Sequence, residues 1–192
     1  NDAWVNDVAE VMKPVYEHLD ARHKITRLFE ARLRVTSEPL EKVQLYKELA
    51  SHQEMSLGDP ASAFDACATA FSLNPSDEDL ALELERLAEV AGSWSALVTI
   101  AEKAVATSHL EPSEKVSLGL KIAGWAANQV GNPRMAETLY RKVLESDPDH
   151  QEAIGALVGL LTQLGRFEDL LPVMKKQAEV AYDFATKKVI LV

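Results

Sequence analysis

The sequence has one cysteine, no long apolar run and fewer basic than acidic residues, and each shortage excludes a class of protein. Cys67 has no partner for an internal disulfide, which excludes a disulfide-stapled secreted scaffold. The longest apolar run, residues 153–161, is far shorter than the roughly 20 residues that cross a bilayer, so membrane insertion is not expected. Twenty Lys and Arg against thirty Asp and Glu give a net charge of −10, which opposes binding to nucleic acid or anionic lipid.

The residues that are present indicate a folded, helical chain. Apolar residues make up 47% of the sequence and charged residues 26%, the ordinary balance of a folded domain. Apolar positions recur with helical spacing, and no stretch alternates with the period of two that is typical of a strand. Turn residues separate these stretches and predict eleven helices, at about 3–18, 22–35, 40–57, 60–73, 78–91, 94–108, 113–130, 133–145, 151–164, 167–181 and from about 183.

Helix starts carry their own signals. Ser76 with Asp79, and Asp149 with Glu152, have the spacing of a capping box. Proline is tolerated in a first helical turn, where its missing N–H has no partner to lose. Four prolines are expected at such positions: Pro39, Pro60, Pro112 and Pro133.

A repeat with a period of 73 residues runs through the chain. A shift by 73 places Gly58 on Gly131 and Gly92 on Gly165. The same shift also matches Glu38 with Glu111, Pro39 with Pro112, Pro60 with Pro133, and Pro75 with Pro148. Because these residue types set turns and helix packing, the repeat predicts a recurring structural unit.

Residues 117–150 carry a 34-residue pattern inside that unit. Counted from Ser117, its positions seven, eight, fifteen, twenty, twenty-four and thirty-two hold Ala123, Gly124, Gly131, Ala136, Tyr140 and Pro148. The stretch from 44 holds Gly58, Ala63, Cys67 and Pro75 in matching positions. This pattern resembles the tetratricopeptide repeat, in which small residues let two antiparallel helices approach closely. Later starts at 78 and 151 alternate the spacing between 34 and 39, so five extra residues are expected to lengthen the joint around 107–112.

The resemblance implies an all-α fold, a right-handed superhelical solenoid of stacked antiparallel helix pairs with about eleven helices. We expect a single repeat domain over 1–192, with hairpins at about 3–35, 40–73, 78–108, 113–145 and 151–181 and a partial repeat at 183–192. The first hairpin is degenerate, with Leu19 where Gly92 predicts glycine. Because a terminal repeat needs a polar outer face and residues 189–192 are apolar, we expect the chain to be part of a longer protein.

The resemblance also implies a function, since members of the family commonly bind a peptide or a helix of a partner protein in a concave groove lined by their first helices. Family positions place Trp125 in that groove, where an exposed ring would be the anchor. The alternative for Trp125 is packing between adjacent hairpins. The other predicted partner-binding residues are Lys121, Asn128, Gln129, His52, Met55 and Arg86.

Nothing in the sequence predicts catalysis. No two of the five histidines have the i, i+4 spacing of a helical metal pair, so neither a metal site nor a cofactor is expected. Cys67 is expected to be a buried, inert thiol.

The sequence therefore predicts a non-catalytic protein-interaction scaffold with a protein or peptide partner. Two alternatives stay open: a ligand-sensing regulatory domain of a larger signalling or transcription protein, and a structural segment that associates with itself. A cytoplasmic location is expected, with other soluble compartments left open.

Overall fold

The computed structural model describes residues 3–181, and in that range it contains ten α-helices and no strand. They are α1 (Ala3–His18), α2 (Arg22–Val35), α3 (Pro39–Met55), α4 (Pro60–Leu73), α5 (Glu78–Ala91), α6 (Trp94–Thr107), α7 (Pro112–Asn128), α8 (Pro133–Ser146), α9 (Gln151–Gln163) and α10 (Phe167–Val180). The predicted all-α class is confirmed. The expected partial repeat at 183–192 lies outside the described residues.

The chain divides into two compact units, Asn1–Ile100 (unit 1) and Ala101–Val192 (unit 2), and α6 crosses the boundary. Within unit 1 each helix from α1 to α5 packs against the next along the chain, and within unit 2 the same holds from α7 to α10. Turns of three or four residues join α1 to α2, α3 to α4, α7 to α8 and α9 to α10. Helices that pack together across such short turns form antiparallel hairpins.

Proline and a short polar side chain fix where the second helix of a hairpin begins. Pro60 and Pro133 are the first residues of α4 and α8, as predicted. Just before them, the Asp59 carboxylate accepts a hydrogen bond from the Ser62 N–H at 3.0 Å, and the Asn132 side chain accepts one from the Met135 N–H at 3.1 Å. Each cap satisfies an N–H that would otherwise have no partner in the helix.

Two predicted caps lie one residue away from their observed positions. Helix α5 is capped by Asp77 rather than Ser76, and α9 by His150 rather than Asp149. In both places two adjacent polar residues can act as the cap, and the path of the chain into the helix selects the second. The helix that follows the 107–112 joint does have a capping box, because the Glu114 carboxylate accepts from the Glu111 N–H at 2.8 Å.

A left-handed residue lies in the turn of every hairpin. Gly58, Gly92, Gly131 and Gly165 all have φ between 65° and 67°, a region that glycine enters without steric cost. The first hairpin, where glycine is missing as predicted, uses Asp20 at φ 50° instead. Aspartate tolerates this region better than most residues, so the degenerate hairpin still closes.

The period of 73 residues is a property of the fold. Helices α7, α8, α9 and α10 begin 73 residues after α3, α4, α5 and α6 respectively. The expectation that five extra residues lengthen the 107–112 joint is wrong, because that joint and the α4–α5 and α8–α9 joints all have four residues. The extra length lies inside the α3–α4 and α7–α8 hairpins, whose first helices have 17 residues.

Candidate functional site

The seven predicted partner-binding residues are divided between the two units. Those on α3 and α5 belong to unit 1, and those on or just after α7 belong to unit 2. Unit 1 contributes His52, Met55 and Arg86, and unit 2 contributes Lys121, Trp125, Asn128 and Gln129.

His52 joins the end of α3 to the start of α2. Its Nε2 lies 3.0 Å from the Arg22 carbonyl oxygen, and because a carbonyl can only accept, Nε2 must carry the proton. In return the Arg22 guanidinium donates to the Ser56 carbonyl oxygen at 2.6 Å, beyond the last turn of α3, where the helix dipole favours a cation. The His52 ring also lies 6.0 Å from the Phe29 ring. His52 therefore has a structural role beside any binding role.

Arg86 connects α5 to α3 through two carboxylates. Its Nη1 and Nη2 donate to the two carboxylate oxygens of Glu54 at 2.8 and 2.5 Å, and its Nε and Nη2 donate to Glu83 at 2.9 and 2.8 Å. Hydrogen bonding to Arg86 lowers the pKa of Glu54, and the two carboxylates raise the pKa of Arg86. Four of the five guanidinium N–H groups are thus engaged, and the cluster as a whole carries one net negative charge.

Apolar side chains stand exposed beside this ion pair. Met55, next to Glu54, is 80% exposed, and Leu82 and Val90, one helical turn before and after Arg86, are 58% and 56% exposed. Residues 82, 86 and 90 share one face of α5 because they are spaced four apart. Since Arg86 holds that face against Glu54, Met55 adjoins it. We call the set Met55, Leu82, Arg86 and Val90 the α3–α5 face.

The expectation that the Trp125 ring is exposed is wrong. Trp125 is only 7% exposed, and its neighbours in α7, Ile122, Ala123 and Ala126, are buried too. Packing takes the ring because an indole gains more from a dry, close-packed surrounding than from water. On the same helix Lys121 is half-buried, and Asn128 and Gln129 are exposed.

Sequence reasoning missed Glu54 and the two exposed residues of α5. Glu54 occupies a position that the family pattern does not assign to the groove, and its partner Arg86 is 32 residues away. The alternation of Leu82, Arg86 and Val90 at intervals of four was the available signal, because an apolar stripe interrupted by a cation is less typical of a core face.

The chemistry of the described residues is otherwise quiet. Burial raises the pKa of the Cys67 thiol to about 12, and the side chain is 1% exposed, so the thiolate that a nucleophile needs is suppressed. Within 3–181 no group of three His, Cys, Asp or Glu side chains could hold a metal ion. Over the same range, no helix combines the length and the hydropathy needed to cross a bilayer.

Small residues lie where the helices of a hairpin meet. Ala63 and Ala70 in the α3–α4 hairpin, and Ala123 and Ala136 in the α7–α8 hairpin, have no exposed surface. Each hairpin combines these alanines with a left-handed glycine in its turn and a proline at the start of its second helix. The fold is of the tetratricopeptide-repeat type. The resemblance inferred from residues 117–150 is confirmed at this level.

Comparison with known proteins adds structural neighbours of this tetratricopeptide-type fold. No protein-family model and no curated protein matches the sequence. A crystal structure of MamA protein is similar at 14% identity, covering 93% of this chain and 91% of that one, with a TM-score of 0.47. Pseudomonas aeruginosa PilF matches at 11% identity over 98% and 82%, with a TM-score of 0.46. YrrB, described as a TPR protein with an unusual peptide-binding site, matches at 15% identity over 95% and 88%, with a TM-score of 0.45.

Proposed function

We propose that this chain is a non-catalytic interaction scaffold that binds a peptide or a helix of a partner protein on the first helices of its hairpins. The observation that carries the proposal is the α3–α5 face, where three large apolar side chains are exposed around an engaged arginine. Isolated exposed apolar residues are ordinary, but a group of them rimmed by charge is typical of an interaction surface.

The charges around this face favour a basic, apolar segment as the partner. Arg86 is neutralised by Glu54 and Glu83, and two more carboxylates, Asp79 and Glu89, lie exposed on α5. A basic segment would gain from this field, and the gain would fall as salt screens it. His52 and Arg86 therefore serve the site by positioning α2, α3 and α5.

In unit 2 the proposal keeps Lys121, Asn128 and Gln129 as polar contacts on α7. Asn128 and Gln129 are exposed at the C-terminal end of the helix, and Gln129 is its C-cap residue. Their amides can donate to and accept from the backbone of a bound segment. Trp125 would support this surface from below as a packing residue.

Selection of binders from a random-peptide display library, followed by calorimetry on the selected peptide, tests the proposal. The selected peptides should be rich in Lys or Arg and in apolar residues. The variant with Met55→Ala and Leu82→Ala together should bind at least tenfold more weakly, because it removes two apolar contacts of about 1 kcal/mol each.

Leu40→Ala is the matched control. Leu40 is 75% exposed on α3, like Met55, but lies at the opposite end of that helix. It should leave the affinity unchanged. Equal affinity of all these variants for the selected peptide would overturn the assignment of the α3–α5 face.

A further inference from the structure

A cavity of about 380 Å³ opens in unit 2 at a place that the predicted groove does not use. Ligand pockets in proteins span about 300 to 1,000 Å³, so this one has room for a single large side chain or a small molecule. Helices α6, α7 and α8 supply the residues around it. The apolar ones are Val105, Ala106, Gly119, Ile122, Leu139 and Val143.

The floor of this cavity is already formed. Ile122, Leu139 and Val143 are at most 5% exposed and belong to the core of unit 2. A Cβ atom on Gly119 would lie 2.9 Å from Cγ2 of Val143, closer than real Cβ contacts come. Gly119 thus lets α7 and α8 approach closely and leaves the space above it without a side chain.

The 73-residue repeat shows what is missing there. The residue one period before Gly119 is Tyr46, which is half-buried on α3 in unit 1. Two more lining residues have lost bulk in the same comparison, since Ala106 corresponds to Leu33 and Ser146 to Leu73. Unit 1 therefore carries an aromatic ring and two leucines where unit 2 has almost no side-chain volume.

The mouth of the cavity carries a cation that is not engaged. Lys142 on α8 pairs with Glu102 on α6 at 2.9 Å. Lys115 on α7 is exposed and makes no ion pair with any residue in the described range. Glu145 lies on the α8 side of the same rim. An acidic group would therefore be attracted from the α7 side, toward Lys115.

We propose that this cavity is a second binding site, which takes one aromatic side chain of a partner peptide with an acidic group beside it at Lys115. The ring would occupy the volume above Gly119 that Tyr46 takes up one period earlier, against Ile122 and Val143. The carboxylate would complete the charge of Lys115. The site is separate from the α3–α5 face and does not depend on it.

Titration with 4-hydroxyphenylacetate, which carries both groups, tests the proposal. Methyl signals of Val105, Ile122, Leu139 and Val143 in a ¹³C-labelled protein should shift with saturation at a dissociation constant on the order of millimolar, as expected for so small a ligand. In the variant with Ala106→Leu and Ser146→Leu, which restores the side chains of unit 1, affinity should fall at least tenfold. Ala61→Leu, the same change at an exposed position of α4, should have no effect.

A second probe separates the two parts of the site. Lys115→Gln should weaken binding of 4-hydroxyphenylacetate several-fold and leave binding of p-cresol, which has no carboxylate, unchanged. Met55→Ala with Leu82→Ala should leave both probes unaffected, so this result is independent of the α3–α5 face. The proposal is overturned if the methyl signals do not saturate up to 20-fold above millimolar, or if the cavity-filling variant binds as the parent does.

Discussion

The hairpins α3–α4 and α7–α8 have helices of equal length that begin 73 residues apart, yet they are filled differently. His52, which is half-buried and hydrogen-bonded, corresponds to the buried Trp125. Phe64, a core residue of α4, corresponds to Glu137, which is 6% exposed on α8. The comparison teaches that turns, caps and small residues hold the hairpin, while its large side chains can change in kind.

Glu137 is tolerated in a core position because two arginines reach it. Arg141 Nη2 lies 3.0 Å from Oε1 of Glu137, and Arg166 Nη1 lies 2.5 Å from Oε2. Arg166 is the N-cap residue of α10, so the buried carboxylate connects α8 to the start of α10. Unit 1 has Ala68 and Ser93 at the equivalent positions, and Phe64 there needs no partner.

The ion pair of unit 1 shows the reverse case. Glu54 and Arg86 correspond to Ala127 and Gly159, so unit 2 lacks both partners at these positions. Each hairpin pair thus has its own electrostatic connection in its own place. Three measurements can break or sharpen this comparison.

The largest effect is expected from Trp125→Ala. Removing a buried indole should cost about 3 to 5 kcal/mol of unfolding free energy, measured by urea denaturation. His52→Ala, at the equivalent position, should cost about 1 kcal/mol, because a half-buried ring and one hydrogen bond are lost. A loss below 1 kcal/mol for Trp125→Ala would contradict the buried placement and return the ring to the groove.

An intermediate effect is expected from Glu137→Ala. This change leaves Arg141 and Arg166 without their shared carboxylate, and since both guanidinium groups are partly exposed the cost should be about 2 kcal/mol in urea denaturation. Glu137→Phe, which copies Phe64, should cost less, because a well-packed apolar residue can replace a buried ion pair. If Glu137→Phe proved the worse variant, the idea that large side chains exchange freely within this frame would fail.

The smallest effect concerns pH. Because Arg86 lowers the pKa of Glu54 in the folded state, Glu54 contributes stability above the ordinary glutamate pKa of about 4.3, and that contribution is lost as pH falls through the lowered value. Between pH 6 and pH 3 the parent should therefore lose more stability than Glu54→Gln, by less than about 1 kcal/mol for so exposed a pair. Asp79→Asn, a carboxylate on α5 with no ion pair among the described residues, is the control.

The sequence predicts the fold well because the signals that set it are local. Pro60 and Pro133 mark helix starts, and Gly58 and Gly131 mark turns, through restrictions on their own backbone. These signals depend little on the rest of the chain. That is why ten helix positions could be predicted within two residues of their observed bounds.

The site was harder to predict because its features are set by contacts between distant residues. The burial of Trp125 depends on which helices close around α7, and the engagement of Arg86 depends on Glu54, 32 residues away. The cavity above Gly119 depends on how closely α8 approaches. A single sequence contains these residues but not the distances between them.

The alternation of a long hairpin with a short one has a consequence for how such a chain can change its length. Each joint between hairpins connects a short hairpin to a long one or a long one to a short one, so insertion of a lone hairpin would place two of one kind side by side. Residues 39–111 form a complete cassette of one long and one short hairpin, ending at Glu111, whose counterpart Glu38 precedes Pro39. A gene that gains or loses copies of this cassette would reproduce every junction already present, and array length in this lineage would then change in steps of two hairpins.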